Sequence, residues 1–321
     1  MTDAQTLTVR NAHSMVYDLA NMRTVLFGGA DEKRVYGDLW VLKKKGWTKL
    51  EANGPSPRTF ASLISDGAND RLILFGGNSV LFGNEANPAQ FLNDTWEYTK
   101  GNWRRFRTKN APEPRSSAAM AYDSFNKRTV LFGGYSLENG KNKRFGDTWE
   151  FKNGKWKKLS QSGPSPRVGA EMSFDSHENR IILFGGSTDG GDYGPDSGET
   201  WVLTDNKWAK LDISQPPNIF NSNIVFQTQE KRLFRFGGWN GKGRINETWI
   251  FKGSSWELLD LEAKPAARNH ASMVYDFNQN QTILFGGHDG EKIFGDLWIF
   301  RHGKWYKELE HPPIKRKANG H

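Results

Sequence analysis

The 321-residue chain contains no cysteine, which excludes disulfides, thiolate metal sites and a cysteine nucleophile together. No stretch approaches 18 consecutive apolar residues, so nothing here reads as a membrane-spanning helix. The opening MTDAQTLTVR has no apolar core of the kind a signal peptide carries. From these absences we expect a cytoplasmic protein without membrane contact. A nucleophile elbow, a phosphate-binding loop and an HExxH helix are also missing. The formal charge of +8 would suit a polyanion, but the cations are spread along the chain, with no aromatic and basic interleaving of the kind that lines a single-strand groove. Nucleic acid is therefore not an expected partner.

Glycine and tryptophan are abundant, at 34 and 13 residues, and both fall on one beat. An apolar run closes on a glycine pair six times: VLFGG at Gly28, ILFGG at Gly76, VLFGG at Gly133, ILFGG at Gly185, FRFGG at Gly237 and ILFGG at Gly286. These first glycines stand 48, 57, 52, 52 and 49 residues apart. A period near fifty marks a radial array of similar blades. The repeat runs from about Arg10 to Trp305 without a break, so residues 1–310 read as one domain and the basic, proline-rich 311–321 as a loose tail. A chain of this length buries roughly three quarters of its unfolded surface on folding, so no cofactor is needed for stability and none is expected.

Each repeat is legible from its first glycine. Eighteen residues earlier lies an arginine, at Arg10, Arg58, Arg115, Arg167 and Arg268, with Ile219 in the fifth copy. Ten residues earlier lies Asp18, Asp66, Asp123, Asp175 or Asp276, with Gln227 in the fifth. Aspartate there can bond its own turn backbone. Alternating apolar positions between the two, such as Met15 with Tyr17, predict a strand. The run into the glycines predicts a second strand covered on both faces. Then an acid stands two places before a tryptophan, and a second tryptophan follows seven later, as in Asp147, Trp149 and Trp156. A hairpin between them brings the two indoles within about a residue of cross-strand register. Cations gather around the second tryptophan, for example Lys43, Lys44, Lys45 and Lys49, or Arg104, Arg105 and Arg107. On an outermost strand such charge discourages edge pairing. Four strands in each of six repeats predict an all-β, six-bladed β-propeller of four-stranded antiparallel blades. Each blade is contiguous in sequence, so ring closure is expected from packing of the first blade on the sixth, in a monomer.

An arginine strand, a strand ending in diglycine, an acid and tryptophan strand and a tryptophan-led outer strand together resemble the kelch repeat over nearly the whole chain. The spellings PSPR at Pro55 and Pro164 and DTWE at Asp94 and Asp147 are similar to kelch proteins of bacteria. The resemblance implies blades around a central channel with the first strand innermost, and it implies no single activity. In kelch adaptors similar to this chain, arginines at some of these repeat positions grip acidic peptides. Kelch enzymes include copper oxidases resembling galactose oxidase, whose cofactor needs a cysteine this chain lacks.

Candidate ligand contacts lie where repeats differ. Blades two, three and four carry longer segments between second and third strands, exposing Phe82, Phe91, Tyr135, Phe145 and Tyr193 as candidates. The residue after each diglycine differs in every blade: Ala30, Asn78, Tyr135, Ser187, Trp239 and His288. With Arg10, Arg58, Arg115, Arg167 and Arg268 converging on the same face, these predict a noncatalytic module for an acidic peptide or a glycan. The alternative is a carbohydrate-active enzyme, epimerase-like or lyase-like, using Glu171 with Asp189, Asp192 and Asp196 of blade four. His13, His270, His288 and Asp289 match no compact metal motif, so no metal site is expected.

Overall fold

The computed structural model describes residues 7–44, 46–81, 88–138, 140–159, 162–188, 197–214, 216–311 and 313–315. Six four-stranded antiparallel sheets form a β-propeller, each sheet built from one contiguous stretch of chain. In the first blade the strands are Ser14–Asp18, Arg23–Phe27, Leu39–Lys43 and Gly46–Leu50, paired in that order. The innermost strands of the others are Ser62–Asp66, Ala119–Asp123, Glu171–Asp175, Asn223–Gln227 and Ser272–Asp276. Each innermost strand packs on the next, and the sixth packs on the first, which closes the ring around a central channel. Two short ribbons sit outside the blades, Tyr135–Glu138 with Lys141–Arg144 and Lys292–Ile293 with Ile314–Lys315. The second of these places Ile314 of the expected loose tail opposite Ile293.

The apolar core lies between blades. On the second strand of blade one, Val25 and Phe27 pack with Leu63, Leu72, Leu74 and Trp103 of blade two. Leu26, one position between them, packs with Ile283 and Phe285 of blade six. A strand with a neighbouring blade on each side must be apolar at every position, which is why the period of two disappears there.

The second tryptophan of each repeat is an inter-blade contact. Its ring meets the phenylalanine just before the preceding blade's glycine pair edge-on or tilted at every junction: Phe27 with Trp103, Phe75 with Trp156, Phe132 with Trp208, Phe184 with Trp256, Phe236 with Trp305 and Phe285 with Trp47, at 4.8–5.5 Å between ring centres. The last pair joins blades six and one by the contact used at the other five junctions. The hairpin register differs from the expected one. Trp156 faces Phe151, while Trp149 faces Lys158, so the two indoles are offset by two residues and share a sheet face without being directly opposed.

At four junctions the tryptophan also donates its indole N–H to a threonine hydroxyl of the preceding blade, as from Trp156 to Thr95 at 2.8 Å. These threonines belong to the DTW and ETW spellings, whereas blades one and six read DLW. Thr95→Val keeps the shape and orphans a buried indole N–H, so we expect about 1–3 kcal/mol of lost stability, measured by urea unfolding. A loss under half a kilocalorie would mean the bond is replaced from elsewhere.

Candidate binding face

The arginines expected to converge on a ligand are buried in the scaffold. Arg10, Arg58, Arg115, Arg167 and Arg268 are each about 1% exposed. Arg115 donates Nη1 and Nη2 to the two carboxylate oxygens of Asp147 at 2.6 and 3.1 Å, Nη1 also to the Gly133 carbonyl and Nε to the Glu113 carbonyl. Arg58 and Arg268 hold Asp94 and Asp296 in the same two-pronged way, and Arg167 holds Glu199 through Nη2 alone. The same acid accepts the indole N–H of the tryptophan two places on, as Asp147 does from Trp149 at 2.7 Å. The acid and tryptophan spelling is thus a device for fixing an arginine. Burial would raise the Asp147 carboxyl, but the bonds and charge of Arg115, with the Trp149 indole, outweigh it and hold the pKa below the usual carboxylate range. Glu199 is held down to about 2 against the same burial by Lys210, Trp201 and Arg167. These guanidiniums already have carboxylates and are closed to an external anion. Phe145, expected to be exposed, is a buried lid stacked on Arg115 at 3.7 Å.

The ring after the diglycines is likewise mostly interior. Ala30, Asn78, Ser187 and His288 are buried, while Tyr135 and Trp239 stay half-exposed. Each of the six forms a β-bridge to the residue following the arginine position, such as Asn78 to Thr59. Both glycines of each pair have positive φ, and the second donates its N–H to the backbone carbonyl of the next blade's arginine position, from Gly134 to Arg167 for instance. A Cβ on Gly133 would stand 2.7 Å from that carbonyl oxygen. Both reasons for glycine, handedness and crowding, therefore act together.

The channel mouth is formed instead by the residue two places after each arginine position: Ala12, Phe60, Ser117, Gly169, Asn221 and His270. All six have positive φ. Their backbones bond from blade to blade, Ala12 N to His270 O, Phe60 N to Ala12 O, Ser117 N to Phe60 O and Asn221 N to Gly169 O, at 2.9–3.0 Å. Below them lies a polar vestibule of about 180 Å³. At its far end Met15, Met120 and Met273 also line a more apolar cavity of about 320 Å³ that opens on the opposite face, beside Leu19 and Phe277. The sixfold position varies in every blade at constant spacing, 16 residues before the first glycine. The same variation at constant spacing thus occurs in this ring as well as in the residues after the diglycines.

Side chains at the mouth form an arc on one side. His288 Nε2 lies 3.0 Å from His270 Nδ1, and His270 Nε2 lies 2.9 Å from the Asn221 amide nitrogen. Gly290 N donates to His288 Nδ1. Phe60 meets His270 edge-on at 4.9 Å across the small Ala12. At the rim of blade five, the Arg244 guanidinium lies over Trp239 at 4.7 Å. Across the mouth, the loops of blades two and three bring Phe91 against Tyr135 at 5.2 Å. His13 takes no part in the arc. It is buried against Phe285, and burial beside the Arg10 charge drops its pKa to about 3, so it is a neutral core histidine.

Glu171 lines the vestibule and is the only carboxylate among the described residues that do so. Paired acid and base chemistry on a sugar needs two. Its proposed companions Asp189, Asp192 and Asp196 lie outside the described residues, as do Phe82 and Tyr193. Among the described residues no three His, Asp or Glu side chains converge as a metal site requires.

A closed six-bladed ring, five of whose blades carry a buried arginine and acid pair beneath a non-equivalent mouth, defines a propeller scaffold. The sequence profile of the KLHDC2/KLHL20/DRC7 Kelch-repeats domain matches residues 1–186 and again 125–317, and the chain belongs to the kelch-repeat family, whose propellers generally bind protein partners. It is 29% identical over 233 residues to an F-box/kelch-repeat protein of Arabidopsis thaliana, covering 64% of this chain and 43% of that one. It is 24% identical over 278 residues to human Kelch domain-containing protein 10, covering 79% and 60%. A flagellar outer arm dynein alpha chain of Chlamydomonas reinhardtii is 25% identical over 181 residues, 51% of this chain and 4% of the dynein. The chain thus spans less than two thirds of these curated relatives.

Proposed function

We propose that this propeller is a noncatalytic binding module that holds an acidic peptide segment, or a glycan, across the channel mouth on the diglycine face. The observation that carries the reading is the mouth itself. Six different residues stand at one equivalent position on a backbone ring tied from blade to blade, a rigid base with chemically distinct contacts, as recognition surfaces on fixed scaffolds have. The preference for acid rests on the rim cations, above all Arg244, whose guanidinium lies over Trp239 and has the planar, forked geometry that suits carboxylates. The Phe60 and His270 pair offers the stacking surface either ligand would use.

Fluorescence anisotropy with a library of Asp- and Glu-rich peptides and its Asn and Gln counterpart tests the reading. The acidic library should bind tighter, and the double change Phe60→Ala and Arg244→Ala should weaken it at least tenfold without moving the melting temperature. Equal binding of both libraries would remove the acidic preference. Unchanged affinity in the double variant would remove the site.

A further inference from the structure

The innermost strands carry a second ring, four residues after the arginine position: Ser14, Ser62, Ala119, Glu171, Asn223 and Ser272. Three of these are serines with one task. Ser14 Oγ donates to the Ala61 carbonyl, Ser62 Oγ to Ala118 and Ser272 Oγ to His13, at 2.6–2.7 Å, each reaching the neighbouring blade. The half-ring of blades six, one and two is sealed by hydroxyls. In blades three to five the position holds Ala119, Glu171 and Asn223, which bring no hydroxyl to the equivalent carbonyls of Ala170, Ser222 and Ala271.

Glu171 is the anomaly in that half. Among the described residues Glu171 has no hydrogen-bond or ion-pair partner. It is half-buried at the vestibule wall. Burial alone pushes its pKa up to about 8, with no neighbouring charge contributing. The other titratable residues lining the vestibule are His13, which is neutral, and His270, which is tied to His288 and Asn221. The buried cation of the same blade junction, Arg235, packs on Phe184 and feels Glu247. A carboxyl held in a rigid channel with no partner among the described residues is an acceptor in want of a cation. The mouth is built to admit one above it. The aromatic arc of Phe60 and His270 stands over blades two, one and six, while at the same position blades three and four have Ser117 and Gly169.

We propose that Glu171, with the backbone carbonyls of this part of the vestibule wall, forms a subsite for a primary ammonium group, entering past Ser117. At about 180 Å³ the vestibule is smaller than the ~300–1,000 Å³ of ordinary small-molecule pockets, so it takes one side chain or chain terminus of a partner. An ammonium presents three donors to scattered oxygens, which suits one carboxylate among carbonyls better than a planar guanidinium does. The subsite deepens the reading above by naming what the vestibule selects beneath an acid-preferring rim. A single amino-acid probe keeps the two apart, because its failure would leave peptide binding at the rim untouched.

The test is an NMR and calorimetric titration of the full chain with Nα-acetyl-lysine amide, its uncharged isostere Nα-acetyl-norleucine amide, and glycine amide. The lysine amide should bind at least tenfold tighter than the norleucine amide at pH 9. Binding at pH 7 should release a proton from Glu171, and that release should vanish by pH 9. Glu171→Gln and Glu171→Ser should each bring the lysine amide down to norleucine affinity while the protein stays folded. Tighter binding of glycine amide would assign the site to an N-terminal amine, and tighter binding of the lysine amide to a side chain. Equal affinities of the two isosteres, or full lysine affinity in the folded Glu171→Gln protein, would overturn the proposal.

Discussion

Replacing Arg115 by leucine is expected to lower the unfolding free energy by about 3 kcal/mol or more, within the ~3–5 kcal/mol cost of stripping one partner from a buried pair. The lower end applies because Asp147 keeps 15% exposure. Four donations disappear at once, two to Asp147 and one each to the Gly133 and Glu113 carbonyls, and the Phe145 ring loses the cation beneath it. A protein stable by roughly 5–15 kcal/mol would show this as a large fall in denaturation midpoint. Asp147→Asn keeps an acceptor for the Trp149 indole while removing the charge, so the double variant should recover at least half of the loss. Additive losses would mean that the carboxylate is not what the arginine answers.

The pH dependence of that variant follows from the direction of the Asp147 shift. A carboxyl held below its unfolded value contributes stability above about pH 4 and loses the contribution as pH falls through its folded pKa. Arg115→Leu removes the cause of the shift. The gap between wild type and variant should therefore be full at pH 7 and close progressively below about pH 4. A gap that persists at pH 2 would identify lost packing as the dominant cost. Either result separates the scaffold role of these arginines from the ligand grip expected of them, since a surface anion site would change binding with little effect on stability.

The blades were legible because each repeat carries its own registration marks: the diglycine fixes the end of the second strand, and the paired tryptophans fix the third and fourth. What spacing within a repeat cannot express is a contact between repeats. Trp156 reads in sequence as a partner of Trp149, seven residues away, yet its ring meets Phe75 and its N–H meets Thr95, both in the preceding blade. Arg115 suffers the same ambiguity. Five arginines facing a channel and five arginines paired inside it have the same spelling, and only the positions of Asp147 and its counterparts decide between them. The mouth ring was hidden for another reason: its left-handed backbone is imposed by the blade-to-blade bonds on Phe60 and Ala12 as firmly as on Gly169, so no turn signal announces it. Glycine at 169 has a local cause as well, since a Cβ there would stand 2.3 Å from Asn221 Oδ1.

Two of the fifth blade's departures from the pattern answer each other. Ile219 stands where the other blades have arginine, and Arg235 stands where they have leucine. Arg235 is fully buried and donates Nη2 to the carbonyl of Gly237, the same first-glycine carbonyl that Arg115 reaches in its own blade. Its charge interacts with Glu247, the acid left without its usual partner. Burial nevertheless lowers its pKa to about 9, and Nε and Nη1 find no hydrogen-bond partner among the described residues, so the relocated cation fits less well than the original. Ile219→Arg alone should crowd a second guanidinium against Arg235 and cost at least ~3 kcal/mol, as overpacking and uncompensated buried charge both do. Combined with Arg235→Leu, it should restore the layout of the other five blades and yield a protein at least as stable as the wild type. The coupling between the two changes should then exceed the ~0.5–3 kcal/mol usual for residues in contact. Chemical denaturation of the two single variants and the double decides it. Simple additivity would show that Arg235 serves some purpose other than replacing the missing arginine of blade five.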